Sequence, residues 1–240
     1  MTGQNSSPLQ GRLGEVHLRV ADAGRAARFL GALLGAEPDS TGSDTDSDQR
    51  VNTVLTDNQS AAPVRMYFET PDPEAALAHA VTLGGSGAHI TDARDDQGVA
   101  LGFYSAGATP RPAGCQPTGI AMGPVIVLAP DTARARVFHR ELFGQAFHKV
   151  GSGDFWWVSS GPSIGIFPAA PKVASPDGPN RAGGPDIQVF FVVGDLDRSV
   201  GRVEALGGKV LDRDALGHFH VCDCRDDQGT RFGLWWDSSS

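Results

Sequence analysis

Asp92-Ala-Arg-Asp-Asp-Gln-Gly98 occurs a second time as Asp223-Cys-Arg-Asp-Asp-Gln-Gly229, with six identities in seven positions at an offset of 131 residues. Two shorter matches keep the same order: Leu83-Gly84-Gly85 corresponds to Leu206-Gly207-Gly208, and Asp22 corresponds to Asp131. Matches that recur in one order indicate an internal duplication. A chain of 240 residues is long enough for two cores of roughly 110 residues each. The sequence therefore predicts two copies of one domain.

The duplication divides the chain into four segments. Residues 1–13 are polar and predicted to be disordered, 14–106 form the first copy, 107–119 are a linker rich in Gly, Pro and Ala, and 120–237 form the second copy. The second copy is longer, and its extra residues fall in 168–185 and 209–217. Both stretches are predicted to be surface loops or a lid, and the acidic residues 39–48 a flexible loop.

Hydrophobic periodicity predicts the same order of strands and helices in each copy. The first copy has predicted strands at 15–20, 51–55, 64–68 and 99–104 and helices at 23–34 and 73–83. The second has predicted strands at 125–128, 155–158, 164–167, 187–193, 219–222 and 231–236 and helices at 132–143 and 196–206. Asp72 as N-cap and Pro73 as first helical residue mark one of these helices. Each copy is thus predicted to contain two βαβββ-like modules.

Charge and composition exclude several classes of protein. A net charge of −8 argues against nucleic acid as a partner, because phosphate binding needs clustered Lys and Arg. No run of 18 apolar residues and no apolar leader occur, so neither membrane insertion nor secretion is predicted. The three cysteines, Cys115, Cys222 and Cys224, do not form a disulfide framework, which favours a reducing, cytoplasmic location.

From about Gly14 to Trp236 the chain resembles the vicinal-oxygen-chelate superfamily, which includes glyoxalases, bleomycin-resistance proteins and extradiol dioxygenases. The resemblance rests on the two strand-Asp-helix openings, the Leu-Gly-Gly helix ends and the hairpins before each last strand. The first opening is Val20-Ala21-Asp22 to Leu34-Gly35, and the second is Ala129-Pro130-Asp131 to Phe143-Gly144. The ending, Gln228 to Trp235, is similar to that of actinobacterial two-domain glyoxalase-like proteins often called hydroxylases. The resemblance implies an α+β fold of tandem domains, each with two βαβββ modules forming a cupped mixed sheet.

The resemblance also identifies the positions that bind a metal in metal-dependent members. They lie on the first strand of each module and four residues after the hairpin Gly: Glu15, Arg65 and Gly102 in the first copy, and Pro124, Gln188 and Gly233 in the second. Glycine and proline side chains supply no ligand, and an arginine would repel a cation. We therefore predict no catalytic metal and no other cofactor.

Strand alternation sorts side chains into a helix-covered face and a concave face. The concave face of the first copy is predicted to be polar, with Glu15, His17, Arg19, Arg65, Tyr67, Glu69 and Tyr104. Glu15 and His17 are acid/base candidates, and Arg65 and Tyr67 are candidates to hold a developing oxyanion. The alternative is a structural network of ion pairs among the charged residues, with His17 hydrogen-bonded inside it.

The concave face of the second copy is predicted to be apolar, with Ile126, Leu128, Phe190, Val192 and Trp235, and Gln188 as the polar exception. One of Trp156 and Trp157 is expected to line the same cavity. Such a surface suits a flat hydrophobic or aromatic ligand. The alternative is that these aromatic side chains fill the core or the interface between the copies.

His218, His220, Cys222 and Cys224 alternate along one predicted strand and therefore share a face. Three interpretations stay open: a soft-metal site, a polar wall of the cavity, or incidental surface placement. His89 corresponds to His220, so one imidazole near each pocket is predicted. His79, His139 and His148 are predicted to be solvated or capping, and the repeated hairpins to be turns.

The sequence favours a metal-independent protein that binds a hydrophobic or aromatic small molecule. The bleomycin-resistance resemblance implies a role in secondary metabolism or self-resistance. The alternative is a metal-independent enzyme, a lyase, isomerase, ring-opening or cofactor-free oxygenation catalyst, that uses Glu15 or His17 with Arg65 and Tyr67. A third hypothesis makes the first copy a scaffold for the second. Homodimers are common in the superfamily, and the sequence leaves the oligomeric state open.

Overall fold

A computed structural model describes residues 11–35, 51–108, 115–159, 164–169, 186–216 and 218–238. The first copy contains β1 (Arg12–Arg19), α1 (Ala23–Leu34), β2 (Val51–Thr56), β3 (Val64–Glu69), α2 (Pro73–Thr82), β4 (Ser86–Gly87), β5 (Ala93–Arg94) and β6 (Ala100–Tyr104). Next come β7 (Gln116–Met122), β8 (Val125–Ala129), α3 (Thr132–Phe143), β9 (Phe147–Val150), β10 (Phe155–Val158), β11 (Ile164–Pro168), β12 (Asp186–Val192), α4 (Leu196–Ala205), β13 (Lys209–Leu216), β14 (Phe219–Arg225) and β15 (Arg231–Asp237).

Each of these four helices begins at an aspartate whose side chain accepts a hydrogen bond from a backbone N–H of the first turn. The four capping residues are Asp22, Asp72, Asp131 and Asp195. This N-cap satisfies a donor that the helix itself leaves unpaired. The same capping signal in all four modules explains why the limits predicted for α1 and α3 are confirmed.

The strands form two mixed sheets. Within the described residues their orders are β4-β5-β6-β3-β1-β2-β7 and β13-β14-β15-β12-β8-β11-β10-β9. In each sheet the two modules meet at an antiparallel pair, β1 with β3 and β8 with β12. Each module is closed by a parallel pair, for example β3 with β6 and β12 with β15. The predicted tandem α+β architecture is confirmed.

Two segments differ from their prediction. Residues 209–216, predicted to be a loop or lid, form the edge strand β13, which pairs with β14. Because this edge strand is rich in polar residues, its sequence lacks the apolar pattern that predicts a strand. The segment assigned to the linker contains part of β7, which pairs with β2 and lies beside it as β10 lies beside β11 in the other sheet. Residues 39–48 and 170–185 fall outside the described residues.

The helices of both copies pack against the sheets in one continuous apolar core. Phe143 of α3 stacks on Phe68 of the first sheet with ring centroids 4.0 Å apart, and Phe29 of α1 meets Phe232 of the second sheet at 6.0 Å. Helices α1 and α3 thus pack on their own sheets and also contact the other copy. The four described helices lie on the side of the sheets opposite the concave faces.

The repeated hairpins join the two copies. Gln97 Oε1 accepts from the N–H of Asp131 at 2.8 Å, and Gln97 Nε2 donates to the Asp131 carbonyl at 2.9 Å. Gln228 makes the same two bonds with Asp22, at 2.8 and 3.1 Å. We call this pair of contacts the hairpin clasp. The predicted turn is also present, since Asp95 Oδ1 accepts from the N–H groups of Gln97 and Val99.

Candidate functional site

The concave face of the first copy brings four predicted site residues together. Glu15 lies opposite Tyr67, and His17 lies opposite Arg65, on the antiparallel strands β1 and β3. All four side chains are buried. Alternation along two paired strands is sufficient to place them on one face, so their proximity agrees with the sequence pattern.

Glu15 and His17 form a buried carboxylate–imidazole pair. Glu15 Oε2 lies 3.1 Å from His17 Nε2, and both side chains are 6% exposed. The ring of Tyr67 lies 4.2 Å from the ring of His17. Burial raises the pKa of Tyr67, so at neutral pH it is a phenol that donates to the Thr91 carbonyl at 3.4 Å. A carboxylate that orients an imidazole is an arrangement suited to proton transfer.

Arg65 is engaged by the protein itself. Its Nη1 donates to the carbonyls of Leu101 at 2.7 Å and Ala93 at 3.3 Å, and its Nη2 lies 2.7 Å from Asp92 Oδ1. The guanidinium thus fills the space between β3 and β6. Because three of its five N–H donors bind the protein and hold the guanidinium at Asp92, the geometry does not favour Arg65 as an oxyanion holder.

The alternative network of ion pairs is not present among the described residues. Glu69 pairs with Arg12 at 3.6 Å, and Arg65 pairs with Asp92. Arg19 donates to the carbonyls of Gln59 and Ala61. Arg19, Arg65 and Glu69 therefore bind partners at the edges of this face, whereas Glu15 pairs with His17 within it. Tyr104 is buried, with its hydroxyl directly above Gly14.

The concave face of the second copy is lined by aromatic rings. We call this cluster the aromatic cup. Its buried members are Ile126, Phe167, Phe190 and Trp235, and its half-buried members are Leu128, Phe155, Trp157, Phe219 and Val221. Trp235 lies at its centre, with ring centroids 4.8 Å from Phe219, 5.8 Å from Trp157 and 5.9 Å from Phe190. Trp157 is the tryptophan that lines the cup. Val192, predicted to join this lining, is 61% exposed.

Trp156 lies on the opposite side of the sheet. Its indole stacks under the guanidinium of Arg136 from α3, 3.6 Å from the ring centroid, and its Nε1 donates to Asp154 at 2.7 Å. The two neighbouring tryptophans therefore have separate roles. Trp156 fastens a helix, and Trp157 contributes to the cup.

The positions that bind a metal in relatives do not fit one here. Tyr67 fills the space where a side chain at Gly102 would begin, and Phe190 fills the same space at Gly233. Arg65, at another of these positions in the first copy, has a positive charge that repels a metal cation. No group of three or more His, Cys, Asp or Glu side chains with suitable spacing occurs in the described part of the chain.

The side chains of His220, Cys222 and Cys224 lie on the side of β14 that faces away from the cup. Phe219 and Val221 of β14 contact the cup, so His220, Cys222 and Cys224 lie on the helix-covered face. Both cysteines are fully buried, with sulfur atoms 3.7 Å apart. Of the three interpretations, a wall of the cup is therefore wrong, because alternation fixes which residues share a face but not which face is covered. His220 borders a separate cleft with Leu196, Arg213 and Trp236.

The remaining predicted histidines are dispersed. His218 is exposed, His220 packs against Trp236 with ring centroids 5.1 Å apart, and His89 is exposed between β4 and β5. His139, predicted to be solvated or capping, is fully buried among aromatic rings. Its Nδ1 lies 3.1 Å from Gln145 Oε1. Burial lowers the pKa of His139 to about 4.

No protein-family model and no curated protein matches the chain. Solved structures do match over most of its length. A catechol 2,3-dioxygenase has 13% identity and a TM-score of 0.56, covering 97% of this chain and 89% of that one. A variant 4-hydroxymandelate synthase from Streptomyces coelicolor has 18% identity and a TM-score of 0.55, covering 94% and 92%.

An Mn(II)-bound glyoxalase from Novosphingobium aromaticivorans has 13% identity and a TM-score of 0.52, covering 96% of this chain and 84% of that one. These enzymes are vicinal-oxygen-chelate proteins. At such identities the likeness shows the fold, and at that level the predicted resemblance is confirmed. No helix among the described residues is long and apolar enough to cross a membrane.

Proposed function

We propose that this chain, which has the vicinal-oxygen-chelate fold, binds a flat aromatic small molecule in the aromatic cup without a metal. The observation that carries the proposal is a connected set of rings on a sheet face that none of the four described helices covers. Phe155, Trp157 and Phe219 are only half-buried there, so part of each ring remains available for stacking. The resemblance to bleomycin-resistance proteins supports a role in secondary metabolism or self-resistance.

Ring contacts of this kind favour a planar ligand over a bulky one. An aromatic ring that packs edge-to-face or offset against another contributes about 0.5–1.5 kcal/mol beyond the burial of its area. Trp157 and Phe219 flank the buried ring of Trp235. A flat ligand can therefore contact several rings at once, whereas a puckered molecule of similar size loses those contacts.

A matched pair of probes tests this proposal. Isothermal titration calorimetry with 1-naphthol and decahydro-1-naphthol should show tighter binding of the planar compound. Trp157→Ala and Phe219→Ala should each weaken 1-naphthol about tenfold. Trp156→Ala is the control, since that ring lies on the other face. Equal losses in Trp156→Ala and Trp157→Ala, or no preference for the planar probe, would contradict the proposal.

A second candidate function rests on the buried Glu15–His17 pair. We infer that it makes the first copy a metal-independent acid/base catalyst. Glu15 orients the imidazole, and His17 accepts a proton from a substrate carbon or oxygen. The neutral Tyr67 phenol exchanges its long hydrogen bond to the Thr91 carbonyl, 3.4 Å, for one to the developing oxyanion. Proton abstraction of this kind is one established first step for lyase, isomerase, ring-opening and cofactor-free oxygenation chemistry.

Hydrogen exchange of a simple ketone tests the catalytic candidate separately from binding in the cup. NMR should show that the protein accelerates deuterium uptake at the acidic C–H groups of 2-indanone in D2O. Glu15→Gln and His17→Ala should remove the acceleration, and Trp157→Ala should retain it. Full acceleration in His17→Ala would exclude this residue as the base.

A further inference from the structure

A cavity of about 360 Å³ lies at the junction of the two copies, apart from the aromatic cup. The first copy contributes the end of β1, including Arg19, and Val64 at the start of β3. The second contributes Asp186 and Gln188 at the start of β12 and Arg231 at the start of β15. We call it the junction cavity. Its volume lies within the range of small-molecule sites, about 300–1,000 Å³.

The junction cavity exists because β12 and β15 diverge. Their parallel pairing begins at Phe190, opposite Gly233, so the residues of β12 before Phe190 have no partner in β15. At the corresponding position of the first copy, the guanidinium of Arg65 donates to the Leu101 carbonyl and to Asp92. Gln188 is shorter than Arg65 and makes no side-chain hydrogen bond within the described residues, and Asp223, the counterpart of Asp92, binds Arg231.

The charges of the junction cavity are unevenly paired. Arg231 Nη2 lies 2.6 Å from Asp223 Oδ2, while the Nε of Arg231 is buried without a hydrogen-bond partner among the described residues. The Nη1 of Arg19 donates to two backbone carbonyls. Asp186 accepts from the N–H of Ile187 at 2.8 Å, and no basic side chain of the described residues lies within ion-pair distance of it. Burial consequently raises the pKa of Asp186.

We propose that the junction cavity binds a small planar cation of the amidinium or guanidinium class. The N–H groups of the cation donate to the carboxylate of Asp186 and the amide oxygen of Gln188. Asp186 and Gln188 can supply these acceptors because, within the described residues, no side-chain donor is hydrogen-bonded to either of them. Planar forks of N–H donors match a carboxylate through two parallel hydrogen bonds.

Three probes of one shape and different charge test this site. When binding is measured by calorimetry at pH 8, benzamidinium should bind most tightly, neutral benzamide more weakly and benzoate most weakly. Asp186→Asn retains the shape of the side chain and should weaken benzamidinium about tenfold or more. Asp197→Asn, at an exposed position outside the cavity, should leave the affinity unchanged.

Two further variants separate this site from the aromatic cup. Val64→Trp fills the junction cavity from the first copy and should block benzamidinium, whereas Trp157→Ala should not. Tighter binding of benzoate would show that Arg19 and Arg231 dominate and would overturn the proposal. Loss of benzamidinium in Trp157→Ala with full binding in Asp186→Asn would assign the probe to the cup and would also overturn it.

Discussion

The phenol ring of Tyr67 lies over Gly102, in the space where a side chain at residue 102 would begin. Phe190 has the same relation to Gly233 in the second copy. In both copies an aromatic ring thus occupies the position where the resemblance to the superfamily implies a metal-binding carboxylate. The exchange gives the first copy a ring beside His17 and the second copy part of its aromatic cup.

Gly102→Ala should destabilise the protein by about 1–3 kcal/mol, because the added methyl group overpacks a site already filled by a ring. Gly31→Ala is the control. Gly31 lies within α1 with no atom near its missing side chain, so alanine there should stabilise by about 0.5–1 kcal/mol. Denaturant unfolding measures both, and a neutral Gly102→Ala would show that Tyr67 can move aside.

Gln97→Ala and Gln228→Ala should each lower the free energy of unfolding by about 1–2 kcal/mol, since each removes two hydrogen bonds of the hairpin clasp. The effects should be similar, because the two halves of the clasp have matching geometry. Gln188→Ala, which removes no hydrogen bond, is the comparison in the same denaturant titration. A loss confined to one hairpin would show that the clasp is not symmetric in energy.

Acidification should destabilise the protein through His139. Its pKa is about 4 in the folded protein and 6.5 without burial, so the unfolded chain binds the proton more readily. This contribution to stability is fully present above pH 6.5 and is lost as the pH falls toward 4, amounting to about 3 kcal/mol. The free energy of unfolding of His139→Leu, relative to that of the wild type, should therefore increase as the pH falls from 7.5 to 4. Parallel pH profiles of the two proteins would contradict a buried neutral imidazole.

Asp95 should act in the opposite direction over the same range. Burial raises its pKa from 3.8 to about 6, so the folded protein binds the proton more readily than the unfolded chain. The contribution of Asp95 to the free energy of unfolding therefore becomes more favourable as the pH falls from 6 toward 4, by up to about 3 kcal/mol. Asp95→Asn retains the oxygen that accepts from Gln97 and Val99, and it should stabilise the protein more at pH 8 than at pH 4. A constant difference across that range would exclude this titration.

The fold could be predicted because its signals are local. Three signals recur in the two copies: an aspartate before each helix, a glycine after α1 and α3, and strands in which apolar and polar residues alternate. Each can be recognised in the sequence without knowing the tertiary contacts. The same alternation placed Glu15, His17 and Tyr67 on one face. Strand β7 had no such pattern, since it owes its conformation to pairing with β2.

The parts of the site that were missed depend on contacts between distant elements. Alternation grouped His220 with the two cysteines, but the packing of α4 decided that this group lies under a helix. Likewise, one of two adjacent tryptophans was expected in the cup, and Arg136 on α3 determines which one. The junction cavity depends on where β12 and β15 part, a register that neither strand specifies alone.

The two halves of the hairpin clasp differ greatly in how far apart their partners lie along the chain. Gln97 and Asp131 are separated by 34 residues, whereas Asp22 and Gln228 are separated by 206. A ribosome that has just completed the hairpin at 226–229 has long since released α1 and α3. One half of the clasp can thus close early in synthesis, while α1 waits for the last hairpin. The first copy can therefore complete its contacts with the second only after residue 228 has been synthesised.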